Sequence, residues 1–222
     1  MSASACTVLL VDDHAVVREG YKRLLERQGD LAVIGEAADG AEALQLFARL
    51  RPQIVVMDVT LPDISGIEAT RRLLARDPGA RVLIFSMHED AIFARRALQA
   101  GAFGYVTKSS EPEVLLEAVR WIAQGRRYVS AQIGADLAAA DALSQASAPQ
   151  ALTAREFEVL HLLAQGRSVQ EIGRSMGVSS KTVSNHQTSI RQKLGVDSAV
   201  QLLHAAERLG LLASAPRGPD AG

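Results

Sequence analysis

The chain has 222 residues, 48% of them apolar, and a formal net charge of -1. Against a prior of about 150 residues per domain this is one large domain or two small ones, and the apolar share and near-zero charge exclude a charge-dominated disordered chain. The longest uncharged stretch, Ala142 to Ala154, has 13 residues and carries Ser, Gln and Pro, and the amino end reaches two aspartates with no basic segment before them. No membrane span and no secretory signal is therefore expected, and the expected location is the cytoplasm.

Taken in chain order, the first half alternates short β-branched runs with longer segments of helical spacing. Thr7 to Val11, Ala32 to Ala37, Ile54 to Met57, Val82 to Phe85 and Gly104 to Thr107 read as buried parallel strands. Between them, pairs such as Val17 with Tyr21, Leu44 with Phe47, and Phe93 with Leu98 mark apolar helix faces, and Val114, Val119 and Ile122 mark the last one. Strand and helix alternating five times predict a five-stranded doubly wound α/β sheet. Cys6 is the only cysteine, so no internal disulfide or cysteine zinc site exists.

Beyond the sheet, Ser130 to Ala140 reads as a short helix, and Asp141 to Gln150, rich in Ala, Ser and Gln, as a flexible linker. Thr153-Ala-Arg-Glu156 and Ser168-Val-Gln-Glu171 are capping boxes that open two helices closed by Gly166 and Gly177. A third helix should run to Leu194 and a fourth from Ser198 to Leu209, so the carboxyl part is a small all-α four-helix unit. Its second and third helices have the proportions of a helix-turn-helix. Residues 1–130 carry a net charge of -1, 131–150 of -2 and 151–213 of +2, a balance that permits nucleic-acid binding without demonstrating it. The expected division is 1–128, an α/β domain; 129–150, helix and linker; 151–213, the helical domain; and 214–222, a tail.

Four of the five apolar runs end in polar groups: Asp12 and Asp13, Asp58, Ser86, and Lys108 after Thr107. In an open α/β sheet the crevice outside the carboxyl ends of the strands is where ligands bind, so these side chains should converge. Adjacent Asp12 and Asp13 suit a hard cation such as Mg2+. Asp58, alone at the end of the central strand, is a competent nucleophile for phosphorus. Lys108 would neutralise charge on the transferring group, and the Ser86 hydroxyl would hydrogen-bond a phosphoryl oxygen. Lys108 leaves an outer strand in this ordering and needs its long side chain to reach the centre. His14 fits a helix start better than a hard-cation ligand, and Gly66 reads as a turn residue.

Leu10-Val11-Asp12-Asp13-His14, Met57-Asp58-Val59-Thr60-Leu61-Pro62 with Gly66, Ser86, and Tyr105-Val106-Thr107-Lys108 resemble a response-regulator receiver domain over about residues 5–128. The resemblance implies phosphorylation of Asp58 by a sensor histidine kinase. It also implies a Mg2+ ion with Asp13 as its direct ligand, Asp12 mainly through water, Asp58, and the Thr60 backbone carbonyl completing the protein ligands. Ser86 and Tyr105 would be the switch pair, on a surface made by the fourth helix, fifth strand and fifth helix. Many receivers have proline after the lysine; here Ser109 stands there.

In the third carboxyl-terminal helix, Val183, Gln187, Ile190 and Leu194 share one side, while Lys181, Ser184, Asn185, Thr188 and Gln192 fall opposite, free of acids and large apolar groups. That face suits a helix entering the major groove. Residues 151–213, through Leu152 to Glu156, Ala164-Gln165-Gly166, Lys181-Thr182-Val183, His186 and Lys193-Leu194-Gly195-Val196, resemble the output domain of the NarL/LuxR group. Where Ser184 stands that group usually carries a base, so affinity per copy should be low and two copies should be required.

The reading is a transcription factor, not an enzyme, in which phosphorylation of Asp58 favours a homodimer on promoter DNA, with RNA polymerase as a further contact. Two alternatives remain at this point. One is a haloacid-dehalogenase-like phosphatase, although Asp12-Asp13-His14-Ala15 departs from its Asp-x-Asp-x-Thr pattern. The other is an interaction module whose helical half binds protein.

Overall fold

The structure, a computed structural model, describes residues 5–143, 152–209 and 211. The chain divides into two compact units, Met1–Ser144 and Gln145–Gly222.

The first unit runs β1 (Cys6–Val11), α1 (Ala15–Glu26), β2 (Leu31–Ala37), α2 (Gly40–Leu50), β3 (Ile54–Met57), α3 (Gly66–Arg76), β4 (Val82–Ser86), α4 (Ala91–Gln99), β5 (Gly104–Thr107), α5 (Pro112–Ala123), β6 (Tyr128–Val129) and α6 (Ala131–Leu143). All neighbouring strands are parallel, in the order β2-β1-β3-β4-β5-β6. Strands β3, β4 and β5 are buried throughout, as β-branched runs covered on both faces require. Val8, Leu10, Val56, Leu83, Phe85 and Val106 pack with Leu25 of α1 and Leu115, Val119 and Ile122 of α5 in one core. Local chemistry starts the helices: Asp39 caps α2 by accepting from Glu42 N at 2.7 Å, Ser65 caps α3 by accepting from Glu68 N at 3.3 Å, and Pro112 opens α5.

Two expectations are corrected here. The sheet has six strands where five were expected, because β6 is only two residues long and shows no apolar run. It is held instead by backbone bonds, Tyr128 N to Phe103 O at 3.2 Å and Ser130 N to Tyr105 O at 3.1 Å, and by Tyr128 Oη donating to Glu117 at 3.0 Å. Lys108 consequently leaves an interior strand rather than an outer one. The expected linker also begins later than Asp141, since α6 continues through the alanine-rich stretch to Leu143. The rest of that linker, residues 144–150, and the tail, 214–222, lie outside the described residues.

The second unit contains α7 (Ala154–Ala164), α8 (Val169–Ser175), α9 (Ser180–Leu194) and α10 (Ala199–Arg208). Both capping boxes form, on Thr153 with Glu156 and on Ser168 with Glu171. Gly166, Gly177 and Gly195 follow α7, α8 and α9 at φ of 81°, 64° and 65°, the left-handed region in which a helix stops cheaply only with glycine. Among the described residues no helix is long and apolar enough to cross a membrane.

Candidate functional site

The polar groups predicted to converge do so at the carboxyl edge of the sheet. Backbone pairing continues one residue beyond the strands, Asp58 N to Val11 O at 2.9 Å and Lys108 N to Ser86 O at 2.7 Å, which fixes where the two side chains emerge. Lys108 Nζ then lies 2.6 Å from Asp12 Oδ2 and 2.6 Å from Asp58 Oδ2. The lysine side chain is 7% exposed and the two carboxylates are buried. Burial pushes the Asp58 carboxyl up to about 6, against the pull of Lys108. Burial alone would lower Lys108, but the two carboxylates outweigh it and its pKa is raised.

Oxygen ligands remain on the acid pair. Asp12 uses Oδ1 to accept from His14 N at 2.8 Å and Oδ2 for Lys108. Asp13 Oδ1 is buried and accepts no hydrogen bond of proper geometry, although His14 Nδ1 lies 2.6 Å away. Ligand atoms of Asp12, Asp13 and His14 lie within 4.8 Å of one another. Asp58 Oδ1 accepts only a long 3.4 Å bond from Thr60 N. A donor set of underused carboxylate oxygens fits a hard divalent cation. His14 is the N-cap of α1 with a side chain 65% exposed, in keeping with a helix-start role.

Ser86 and Tyr105 are fully buried. Ser86 Oγ accepts from His88 N at 3.2 Å, and Tyr105 Oη donates to His88 O at 2.7 Å. Both groups therefore meet on the backbone of one residue that sequence reasoning did not single out. His88 carries no motif; its part is played by main-chain atoms in the β4–α4 loop, while its ring stacks on Phe93 at 4.1 Å and its Nε2 lies 3.4 Å from Thr60 Oγ1. Gly66 is not a turn residue. It is the first residue of α3, its N donates to Val59 O at 2.8 Å, and an added Cβ would collide with the backbone carbonyl of Asp58. Glycine here lets the helix approach the backbone of Asp58.

In the second unit, Lys181, Ser184, Asn185, Thr188 and Gln192 are all exposed on α9, while Val183 and Ile190 are buried and Gln187 and Leu194 half-buried. The faces predicted from helical geometry are the faces observed. What holds α9 in place was not foreseen: Glu156, beyond its capping role, accepts from Ser189 Oγ at 2.6 Å and Lys193 Nζ at 2.7 Å. Burial would raise the Glu156 carboxyl, but bonds from Lys193, Ser189 and Thr153 outweigh it and hold it at about 2. Arg155 pairs with Glu158 at 2.9 Å and donates to Met176 O at the end of α8 at 3.1 Å.

Residues 8–120 match the family described as response regulator receiver domain, and residues 150–206 match bacterial regulatory proteins, luxR family. The chain belongs to the LuxR-type response regulators. It is a two-domain response regulator with a receiver and a DNA-binding helix-turn-helix domain. The transcriptional activator protein ExaE of Pseudomonas putida is 41% identical over 92% of this chain and 97% of its own. A two-component response regulator of the LuxR family from Aurantimonas sp. SI85-9A1 is 50% identical, with a TM-score of 0.61, covering 63% of this chain and 99% of that one. The structure of two RcsB dimers bound to two parallel DNAs is 24% identical with a TM-score of 0.60, over 93% of this chain and all of that one, a likeness of fold. The receiver family transmits signals, so the phosphatase alternative is set aside.

Proposed function

We propose that Asp58 is the phosphoacceptor of this response regulator and that its phosphorylation shifts an existing equilibrium toward a DNA-binding homodimer. The observation that carries this reading is the placement of Lys108 Nζ 2.6 Å from both Asp58 and Asp12 at the carboxyl edge of the sheet. A carboxylate oxygen of Asp58 forms a bond to phosphorus as the P–N bond of a phosphohistidine on the sensor kinase breaks. Lys108 donates to the new phosphoryl oxygens, and the Ser86 hydroxyl turns from His88 toward them. Asp12, Asp13, Asp58 and the Thr60 carbonyl would hold Mg2+, which supplies positive charge against the phosphoryl oxygens when bound. Tyr105 senses the movement of Ser86 because both bond to His88.

Receiver 1–128, connecting segment 129–150 and helix-turn-helix 151–213 are the domains of this reading. In the third, Lys181, Ser184, Asn185, Thr188 and Gln192 face promoter DNA, and RNA polymerase is a further partner there. Moving occupancy from 1:99 to 99:1 requires about 5.5 kcal/mol of preference for the active state, within reach of several charge-assisted bonds in a buried site. Incubation with a small acyl phosphate and Mg2+, followed by mass measurement, should add one phosphoryl group to the wild-type chain and none to Asp58→Asn. Single-site labelling of that variant would remove Asp58 from the reading.

A further inference from the structure

We propose that Arg18 is a positioning residue of the cation site, fixing the peptide between Asp12 and Asp13 so that both carboxylates meet one divalent cation. The proposal rests on the reading of Asp12 and Asp13 as cation ligands. Residues 12–14 are all that separate β1 from α1. The side chain of Asp12 is held on both oxygens, by His14 N and by Lys108. Its backbone N donates to Ala37 O at 3.1 Å. Its carbonyl oxygen is held by Arg18, whose Nη1 donates to it at 2.5 Å. That carbonyl belongs to the peptide joining the two acids.

The buried Oδ1 of Asp13 accepts no hydrogen bond of proper geometry, and the ring that lies 2.6 Å from it belongs to the exposed His14 of the same short loop. The Asp13 carboxylate and the His14 ring beside it both hang from the three-residue loop between β1 and α1, so the plane of the 12–13 peptide sets where they point. Arg18 N donates to His14 O at 2.9 Å, so the arginine sits in the first turn of α1, and its side chain returns to the end of β1.

The ion pair of the guanidinium with Glu36 is longer than its bond to the Asp12 carbonyl. The Arg18 side chain is 16% exposed, Glu36 Oε2 is 3.5 Å from Nε, and Nε is buried without a hydrogen bond. Glu36 is also engaged by Lys22, at 2.8 Å. The short bond from Arg18 goes to the Asp12 carbonyl. A cationic side chain behind an acid pair also opposes cation binding by repulsion, which makes the sign of its removal informative. A bystander charge, once removed, leaves Mg2+ binding tighter. A positioning group, once removed, leaves it weaker, and partners outside the ligand set are commonly worth about 10–100-fold in metal affinity.

The test is calorimetric titration of the full-length chain with Mg2+ alone, for wild type and Arg18→Met, Arg18→Lys, Glu36→Gln and Asp13→Asn. The expected result is binding weaker by about tenfold in Arg18→Met, by about threefold in Arg18→Lys, and unchanged in Glu36→Gln. Phosphorylation of Arg18→Met should recover as Mg2+ is raised to saturation, placing the defect in cation binding rather than in the nucleophile. Equal or tighter Mg2+ binding by Arg18→Met overturns the proposal, as does an equal loss in Glu36→Gln, which would make the whole ion-pair cluster a structural support. Should Arg18→Met fail to fold, wild-type affinity in Arg18→Lys overturns it. Wild-type Mg2+ binding by Asp13→Asn would instead overturn the cation site itself.

Discussion

Lys108 is held between two buried carboxylates, 2.6 Å from each. Under the proposed phosphorylation of Asp58, the contact to that residue is the one that would change, because the carboxylate charge there would give way to a phosphoryl group carrying more charge and more acceptor oxygens. The contact to Asp12 keeps the ammonium in the crevice whatever Asp58 carries. Removing the ammonium therefore costs more in switching than in transfer. Lys108→Ala should still accept a phosphoryl group, more slowly, but should fail to dimerise or bind DNA when compared with wild type at matched phosphorylation. Dimerisation measured by sedimentation at equal labelling decides this, and an equal response of the two proteins would refute the switching role. Two carboxylates left without their cation in a low-dielectric site also repel, so the variant pairs lost switching with a disturbed Asp58.

At the scale of elements, the helix-turn-helix is clamped by one carboxylate. Glu156 ties the start of α7 to α9 through Ser189 and Lys193, and its pKa of about 2 against an ordinary 4.5 is a stability statement. The group is depressed on folding, so its contribution is present above the ordinary carboxylate pKa and is lost as pH falls from about 5 toward 2. A shift of this size corresponds to about 2–3 kcal/mol. Glu156→Gln should lower the protection of α7 and α9 amides against hydrogen exchange by about that amount at pH 7, with the gap closing toward pH 2.5. His186, Arg155, Glu158 and Lys193 also face this carboxylate or its neighbours, but they are common to both proteins and cancel in the difference to first order. A gap that stays constant with pH would show that Glu156 acts by packing alone.

These elements also mark how far the sequence could be read. The strands, the two capping boxes and the two faces of α9 were legible because each is written in a local period or spacing. Strand β6 was not, since two residues carry no period and its partners are the backbone of β5. Gly66 reads as a turn residue because glycine often supplies one, whereas the structure needs it for a close approach to the Asp58 backbone, which residue type alone does not reveal. His88 and Arg18 act on or through main-chain atoms, which leave no signature in residue type. The Glu156 to Lys193 contact spans 37 positions, and a capping box already explained the glutamate.

For the whole molecule, charge decides how DNA is bound. Residues 151–213 carry a net charge of +2, so one copy can neutralise few phosphates, and the proposed homodimer, on half-sites about 10 base pairs apart, would supply what one copy lacks. On the proposed reading the exposed face of α9 divides this task by chemistry. Asn185 can pair with the edge of a base, whereas Lys181, in the first turn of the helix, carries a charge suited to phosphate. Asn185→Ala should cost about 1–3 kcal/mol on the preferred sequence and relax preference at one position. Lys181→Ala should weaken all sequences alike and make the salt slope shallower by about one unit. Titrations of the phosphorylated full-length chain on matched and scrambled sites at several salt concentrations separate the two effects, because specificity belongs to the first variant and salt dependence to the second. If neither substitution moves affinity, preference or slope, α9 is not the reading helix, and the exposed polar face must serve contact with protein instead.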